Sequence, residues 1–320
     1  MFNLSEFIKL LRPQQYYKNF LIFLGLIFSA SVFNYNLYLQ VFIGFFALSA
    51  ISSISYIIND WKDIQSDKAH PEKKFRPLAS GKVSIFEALL LIVLLFVIIM
   101  ILILLLPIEN KNKLLFSIII LAIFITSQFY SLYFKNKAFY DVIFIALNYI
   151  WRALAGVVVI AVTLSPWLFI LGFLFAMFLA LSKRKGDLFL LKENASKHKK
   201  VFEVYTVNLL DQLIVLISGA MIVAYSIYIV ESVIDFNRDL TDFSKFQNPY
   251  LMLLTLPSVT LIVMRLLYLQ ISGSEKIRKA ELLFLDKEII LNGIFLMILV
   301  ILALYWNNFG IDLIINSIYS

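Results

Sequence analysis

No cysteine occurs in the 320 residues, which excludes disulfides, thiolate nucleophiles and thiolate metal sites. Histidine is nearly absent as well. His70 and His198 are the two, too few for a histidine-rich metal centre, so any metal chemistry falls to oxygen ligands, which suit Mg2+. Charge is scarce: 15% of residues are charged and 61% are apolar, where soluble domains carry about 25% and about 45–50%. A soluble chain of this length cannot bury so much apolar surface, so the solvent for most of it is expected to be lipid. That excludes a secreted disulfide scaffold, a disordered protein and an ordinary cytosolic enzyme. The first dozen residues contain Glu6, Lys9 and Arg12, and no small-residue cleavage site follows the first apolar run, so a cleaved signal peptide is not expected.

What is abundant is long apolar runs. Ala88–Leu106 lacks any polar side chain and has the length a helix needs to cross the hydrocarbon core, about 20 residues. Spans are expected at roughly 17–33, 38–58, 84–106, 114–134, 139–162, 167–182, 207–230, 248–270 and 286–306. These runs are too long for barrel strands, and lipid forces each segment to satisfy its own backbone. The expected fold is an all-α integral membrane bundle of nine helices, without internal repeats, forming one catalytic domain over 1–320.

The net charge of +7 is a question of orientation rather than of nucleic acid. Most of the 28 Lys and Arg residues fall on the first segment and on the loops after helices 2, 4, 6 and 8. The other side holds Lys111, Lys113, Arg238 and Lys245, and Arg152 and Arg265 lie within spans. This bias expects the N-terminus in the cytoplasm of a cell's inner membrane and the C-terminus outside. The long polar loops, about 59–83, 183–206 and 271–285, are then cytoplasmic. The opposite loop, about 231–247, reads as a solvated cap.

The loop after helix 2 carries the densest chemistry. Asn59 to Gly81 reads N-D-W-K-D-I-Q-S-D-K-A-H-P-E-K-K-F-R-P-L-A-S-G. Asn59, Asp63 and Asp67 stand at i, i+4 and i+8, one face of a helix if it continues. Asp60 points elsewhere at the same mouth. Carboxylates this close repel, and a hard cation that brings phosphate oxygens with it removes the conflict. Lys73, Lys74 and Arg76 supply charge for phosphate oxygens, and Pro71 and Pro77 let them fold back. The bland alternative is a solvated acid–base loop at a membrane surface.

The string Asn-Asp-x-x-Asp-x-x-x-Asp at the end of helix 2 resembles the UbiA superfamily of polyprenyl-transferring membrane enzymes. Its continuation through His70-Pro71, Arg76-Pro77 and Gly81 is similar to the branch that transfers phosphoribose to decaprenyl phosphate. So are Arg12-Pro13-Gln14-Gln15-Tyr16-Tyr17-Lys18-Asn19, Tyr130-Ser131-Leu132-Tyr133-Phe134-Lys135 and Trp151-Arg152-Ala153-Leu154-Ala155-Gly156. The likeness runs from about residue 10 to 300. It departs at Lys183-Arg184-Lys185-Gly186-Asp187, where the branch has Lys-Arg-Tyr-x-Glu, and at Arg265-Leu266, where the branch has Arg-Tyr. Branches that prenylate aromatic rings resemble one another in a second Asp-x-x-x-Asp after helix 6. Between 183 and 206 the acids here are Asp187, Glu193 and Glu203, without that spacing.

The resemblance implies a Mg2+-dependent phosphoribosyltransferase. Its donor is 5-phosphoribosyl 1-diphosphate, its acceptor a polyprenyl phosphate in the membrane, and its product a lipid-linked pentose precursor for cell-envelope glycan. Asn59, Asp63 and Asp67, with Asp60 in support and Asp187 from the far side, are the expected catalytic and metal residues. Lys73, Lys74 and Arg76 are expected on donor phosphates. Lys18, Tyr130, Lys135, Arg152, Lys183 and Arg184 are candidates for the 5-phosphate or the lipid phosphate, unallocated. Arg152 is costly mid-span and Arg265 can snorkel; Asp141 suits a helix start. Lys192 to Lys200 reads as a headgroup contact. No nucleic acid is implied, and a homo-oligomer is left open. The alternatives are a prenyltransferase acting on an aromatic acceptor and an isoprenoid-lipid transporter. A transporter calls for polar or broken helices at the midplane, whereas the charges here crowd one face.

Overall fold

The computed structural model describes residues 4–29, 31–69, 72–162, 166–191, 200–237, 246–272 and 285–309. Among them every regular element is helical and none is a strand. Seven helical stretches are long and apolar enough to cross a membrane: Tyr35–Lys62, Ile85–Leu105, Asn110–Phe134, Tyr140–Val159, Val207–Asp235, Tyr250–Ile271 and Lys287–Tyr305. The protein is a multi-pass membrane protein.

The other two expected spans fall on different structures. The span expected at 167–182 lies inside a longer helix, Pro166–Leu191. The span expected at 17–33 is not a regular α-helix. It is a 3-10 helix over Pro13–Phe23 followed by a short α-helix, Leu24–Phe28. At ~2.0 Å rise per residue, the two pieces together reach about 30 Å, close to the hydrocarbon thickness.

The chain packs as two compact units. The first comprises Met1–Lys135 with Leu147–Leu164, the second Asn136–Ala146 with Ser165–Ser320. In the first unit the helices are α1 (Leu4–Leu11), α2 (Leu24–Phe28), α3 (Tyr38–Lys62), α4 (Ile64–Lys68), α5 (Ile85–Leu105), α6 (Asn110–Phe129) and the later part of α7 (Tyr140–Val159). Helix α3 is the hub, packed by α1, the 3-10 helix, α5 and α6. Its apolar window is 61% buried, against 17% for α5, so α3 faces protein where α5 faces lipid. Leu48, Ile51, Ile54 and Ile57 of α3 meet Leu10, Ile22, Phe116, Ile123 and Ala155 in one core.

Small residues permit that crowding. Gly44, Ala47, Ser49, Ala50, Ser52 and Ser53 are all buried on α3. The serine hydroxyls donate to carbonyls one turn back: Ser49 to Phe45, Ser52 to Leu48, Ser53 to Ser49 and Ser55 to Ile51, at 2.8–3.0 Å. No hydroxyl proton among them is therefore wasted in an apolar core.

Ile22 of the 3-10 helix sits between two glycines. A Cβ on Gly44 would lie 2.7 Å from the Ile22 side chain, and one on Gly156 of α7 would lie 2.0 Å from the Ile22 carbonyl oxygen. The tightly wound backbone fits this slot because nothing projects into it.

Beyond α3 the chain caps at Asp63, forms α4 and a 3-10 turn at Lys73–Phe75, and becomes extended at Arg76. Gly81 takes φ +74°, a conformation that glycine adopts freely. Ser84 then opens α5 with a reciprocal capping box to Glu87, worth about 1 kcal/mol.

The second unit contains α8 (Pro166–Leu191), α9 (Val207–Asn237), α10 (Tyr250–Leu253), α11 (Thr255–Ile271) and α12 (Lys287–Tyr305). Helix α8 packs on α9, α9 on α11 and α11 on α12. Phe178, Leu181, Tyr205, Leu210, Ile214, Leu266 and Leu269 form its main core. Arg265 of α11 donates from two nitrogens to Asp286, each at 3.2 Å. Asp286 in turn accepts from the Ile289 backbone N–H at the start of α12. Arg265 thus ties two helices together.

Gly156→Ala is expected to destabilise the first unit by about 1–3 kcal/mol, because its methyl group meets backbone that cannot rotate away. A thermal melt of the purified variant in detergent checks this. An unchanged midpoint would mean that Ile22 and Gly156 do not approach so closely.

Candidate active site

The acidic stretch after α3 divides into two faces. At 3.6 residues per turn, positions seven apart nearly eclipse, while positions four apart drift by about 40°. Asp60 and Asp67 are seven apart; Asn59 and Asp63 are four apart. The backbone ladder carries this phase across the break at Asp63, whose N–H bonds to Asn59 O at 3.0 Å, and Asp67 N–H bonds to Asp63 O at 2.8 Å.

Asp60 and Asp67 are each 2% exposed. One terminal nitrogen of Arg76 donates to both, at 3.0 Å to Asp60 and 2.8 Å to Asp67. Arg12 donates to both oxygens of Asp60, at 2.5 and 2.8 Å. Its guanidinium also lies 5.3 Å from the centre of the Tyr56 ring, a favourable cation–π distance. To reach Asp60, Arg12 adopts φ 54° and ψ 56°, a left-handed backbone that costs a non-glycine residue about 1–3 kcal/mol. The ion pair holds that strain in place.

The other face meets α6. That helix ends in a π turn over Tyr130–Phe134, with Lys135 N–H donating to Tyr130 O five residues back at 2.7 Å. Such turns are rare and recur at functional sites. Here the turn matches two residues four apart to two others four apart. Ser131 donates to Asn59 Oδ1, and Lys135 donates to Asp63 Oδ1 at 3.4 Å. Asn59 Nδ2 donates to Asp63 Oδ2 at 3.3 Å. The Asp63 side chain is 28% exposed, the open carboxylate of the stretch.

These positions correct three expectations. Asn59, Asp63 and Asp67 do not form one open face, because Asp67 is turned into the arginine cluster. Asp60 does not stand at an open mouth; it is buried against two arginines. Arg76 is not directed outward at phosphate but inward at Asp60 and Asp67. Lys73 and Lys74 are exposed, and Lys74 lies over the Phe75 ring. Lys18 donates to Gln15 at 2.8 Å. Tyr130 is half-buried at the start of the π turn. His70 and Pro71 lie outside the described residues, as does the basic stretch from Lys192 to Lys199.

Arg152 is buried within the first unit, as its mid-span position suggested. Its Nε donates to Asn19 Oδ1 at 2.8 Å, and its terminal nitrogens donate to the Asn148 carbonyl and, at 3.5 Å, to Ser52.

In the second unit Arg184 is committed elsewhere than to phosphate. It is 1% exposed and its Nε donates to fully buried Asp141 at 2.6 Å. Tyr205 donates to the other Asp141 oxygen at 2.8 Å and accepts from Phe139 N–H at 2.7 Å. Burial pushes the Tyr205 hydroxyl above the ordinary tyrosine range, so it remains a donor to Asp141. Asp187 lies 3.5 Å from Arg184, and Lys183 is exposed. Lys185 pairs with Asp211.

In the sequence Ser131 and Asn19 stand only as members of resembling segments, and Ser52 in none; no role for any of them follows from the sequence. Nothing in spacing marks a serine or asparagine in an apolar run as a partner for a distant charge. The i, i+7 relation of Asp60 and Asp67 was visible and would have separated them from Asn59 and Asp63.

Among the described residues no three carboxylates or histidines converge into a metal cage. Mg2+ ordinarily takes one or two carboxylates and completes its shell with water and phosphate oxygens. The adjacent hard oxygens of Asn59 and Asp63, one open to solvent, fit that mode.

A family model for the UbiA prenyltransferase family matches residues 19–199. The chain belongs to the UbiA prenyltransferase family. Among its UbiA relatives, the decaprenyl-phosphate phosphoribosyltransferase of Mycolicibacterium smegmatis is 30% identical over 229 residues, 70% of each chain. The decaprenyl-phosphate phosphoribosyltransferase of Corynebacterium glutamicum is 26% identical over 71% of this chain and 68% of its own length. A solved UbiA homologue from Archaeoglobus fulgidus, bound to GPP and Mg2+, superposes with a TM-score of 0.56 at 18% identity. It covers 84% of this chain and 100% of its own, so the two share a fold.

Asp60→Asn and Asp63→Asn are expected to behave differently. Loss of the buried Asp60 charge leaves two arginines without their shared partner and costs about 3 kcal/mol, toward the lower end for a buried pair because both arginines are partly exposed. Loss of the partly exposed Asp63 charge costs under about 1 kcal/mol. Thermal melts of the two variants make the comparison; equal midpoints would refute the division.

Proposed function

We propose that this protein transfers 5-phosphoribose from 5-phosphoribosyl 1-diphosphate to a polyprenyl phosphate, releasing diphosphate. The observation that carries the reading is the Asn59–Asp63 pair, open beside Lys135, in a chain whose curated relatives are named decaprenyl-phosphate phosphoribosyltransferase. A transferase of this kind needs a place for a metal-bound diphosphate and several cations for further phosphates, and little else.

The bond changes are simple. An oxygen of the lipid phosphate attacks the anomeric carbon, and the C1–O bond to diphosphate breaks with its electron pair leaving on diphosphate. The attacking phosphate is already ionised, so no side chain has to become a covalent nucleophile. The protein's part is orientation and charge stabilisation. Asn59 and Asp63 would hold Mg2+. Bound Mg2+ supplies neutralisation of the leaving diphosphate. Lys135 keeps Asp63 oriented in the free enzyme and is within reach of the same oxygens. Lys73 and Lys74 meet donor phosphates. Lys18 and Tyr130 remain candidates for the donor or lipid phosphate, and Lys183 and Asp187 belong to the second unit.

The membrane setting in this reading has nine crossings. The 3-10 helix with α2 forms the first, since its length of about 30 Å suffices, and α8 forms another. The N-terminus, and the loops carrying Asn59 to Gly81 and Lys183 to Glu203, face the cytoplasm, where the soluble donor is found. The positive-inside bias of the sequence supports this. The product is a lipid-linked pentose for cell-envelope glycan.

Purified protein incubated with Mg2+, labelled phosphoribosyl diphosphate and polyprenyl phosphate is expected to yield labelled lipid. Chelation by EDTA should abolish it, and Asp63→Asn should lower turnover by at least about a hundredfold without unfolding the protein. Transfer of a prenyl group from prenyl diphosphate to an aromatic acid, with no labelled lipid in the first assay, would replace this reading with ring prenylation.

A further inference from the structure

Arg152 is the buried charge that the diphosphate site leaves unused. It is 7% exposed, and all three of its acceptors, Asn19 Oδ1, the Asn148 carbonyl and Ser52 Oγ, are neutral. Among the described residues no carboxylate lies within ion-pair distance of it, whereas Arg12, Arg76, Arg184 and Arg265 each have one. A guanidinium carries five N–H donors. Three contacts leave one donor on each terminal nitrogen, the fork that matches two oxygens of a phosphate. A cation in a membrane span without a counter-charge is costly and calls for an anion that is not part of the chain.

The surroundings are polar, and their serine protons are held by backbone carbonyls. Asn19, Ser49, Ser52 and Ser53 are all buried and linked: Asn19 Nδ2 donates to Ser49 Oγ at 3.1 Å, and the Tyr16 and Ser53 hydroxyls lie 2.8 Å apart. Ser52 and Asn59 are seven residues apart on α3, so they share a face, about 10 Å apart along the axis. One end of that face has a carboxylate open for a metal-bound diphosphate. The other end has a guanidinium and an amide and, among the described residues, no acid within ion-pair distance of that guanidinium.

We propose that Arg152 and Asn19 form a second anion subsite that takes a phosphate monoester without a metal ion, with Ser52, whose proton goes to the Leu48 carbonyl, orienting the guanidinium. The proposal rests on the phosphoribosyl transfer argued above, because both substrates of that reaction carry such a group: the 5-phosphate of the donor and the phosphate of the lipid. The subsite fixes one of them two helical turns from Asn59, so that the diphosphate end and the monoester end are held by separate chemistries.

The test is a thermal melt of the wild type and of Arg152→Gln, without Mg2+, against four probes: farnesyl phosphate, farnesol, ribose 5-phosphate and ribose. The wild type is expected to melt higher with one of the two phosphates and not with its parent alcohol, and Arg152→Gln is expected to lose that shift. The phosphate that stabilises identifies whether the lipid or the donor occupies the subsite. Turnover by Arg152→Lys supplies the second measurement, which holds even if Arg152→Gln does not fold. The KM for the corresponding substrate should rise by about tenfold or more while the other KM changes less than about twofold. No phosphate-dependent shift in the wild type, a shift that survives in Arg152→Gln, or two unchanged KM values in Arg152→Lys would overturn the subsite. A phosphate shift lost with Arg152, in a wild type that forms no phosphoribosyl lipid, would instead leave the subsite standing and remove the proposed reaction.

Discussion

A carboxylate cannot be left charged and alone beneath a membrane protein's surface, and Asp60 is both buried and doubly paired. Much of the first unit follows from that requirement. Arg12 reaches Asp60 from the turn between α1 and the 3-10 helix, which fixes the left-handed backbone at Arg12 and the entry of the chain. Arg76 reaches it from beyond α4 and takes Asp67 as well, which folds the loop back against the end of α3. With two of the acids consumed in this way, Asn59 and Asp63 are left facing α6 with an open carboxylate. The four acidic and amide side chains between Asn59 and Asp67 thus divide into two held by arginine and two that face α6.

Helix α3 carries the first residue of each pair. Its small residues admit neighbours on nearly every side, and its serines keep their own hydroxyls bonded along the helix. Asn59 at its end and Ser52 two turns earlier share a face, so a rigid rod fixes the distance between the two polar levels. Precision on that scale is what a reaction between two phosphorylated substrates requires, since positioning supplies much of the barrier reduction when no covalent intermediate is formed. The π turn at the end of α6 completes the arrangement by presenting Ser131 and Lys135 in the register of Asn59 and Asp63.

The membrane character, the all-helical fold and the place of the acidic stretch were legible in the sequence, because they depend on composition, run length and local spacing. The irregular winding of residues 13–28 was not. Pro13–Phe23 is as apolar in its later half as an ordinary helix start, and its 3-10 winding reflects the slot between Gly44 and Gly156, which are distant in sequence. The destination of charges was also hidden. Arg76 reads as a phosphate ligand beside Lys73 and Lys74, yet it turns inward because Asp60 and Asp67 lie within reach. Arg184 reads as part of a basic end of helix, yet Asp141, more than forty residues earlier, claims it. Conversely, Arg152 stood out because an intramembrane cation is expensive wherever it occurs, and the structure gives it neutral partners.

The claim on which the account turns is that Asp63 is open for chemistry while Asp60 is locked for structure. Mn2+ bound in the presence of inorganic diphosphate and read by electron paramagnetic resonance tests it directly, using the metal as a probe on purified protein. Asp63→Asn is expected to lose the bound-Mn2+ signal, and folded Asp60→Asn to keep it. Undiminished Mn2+ binding by Asp63→Asn would contradict the account.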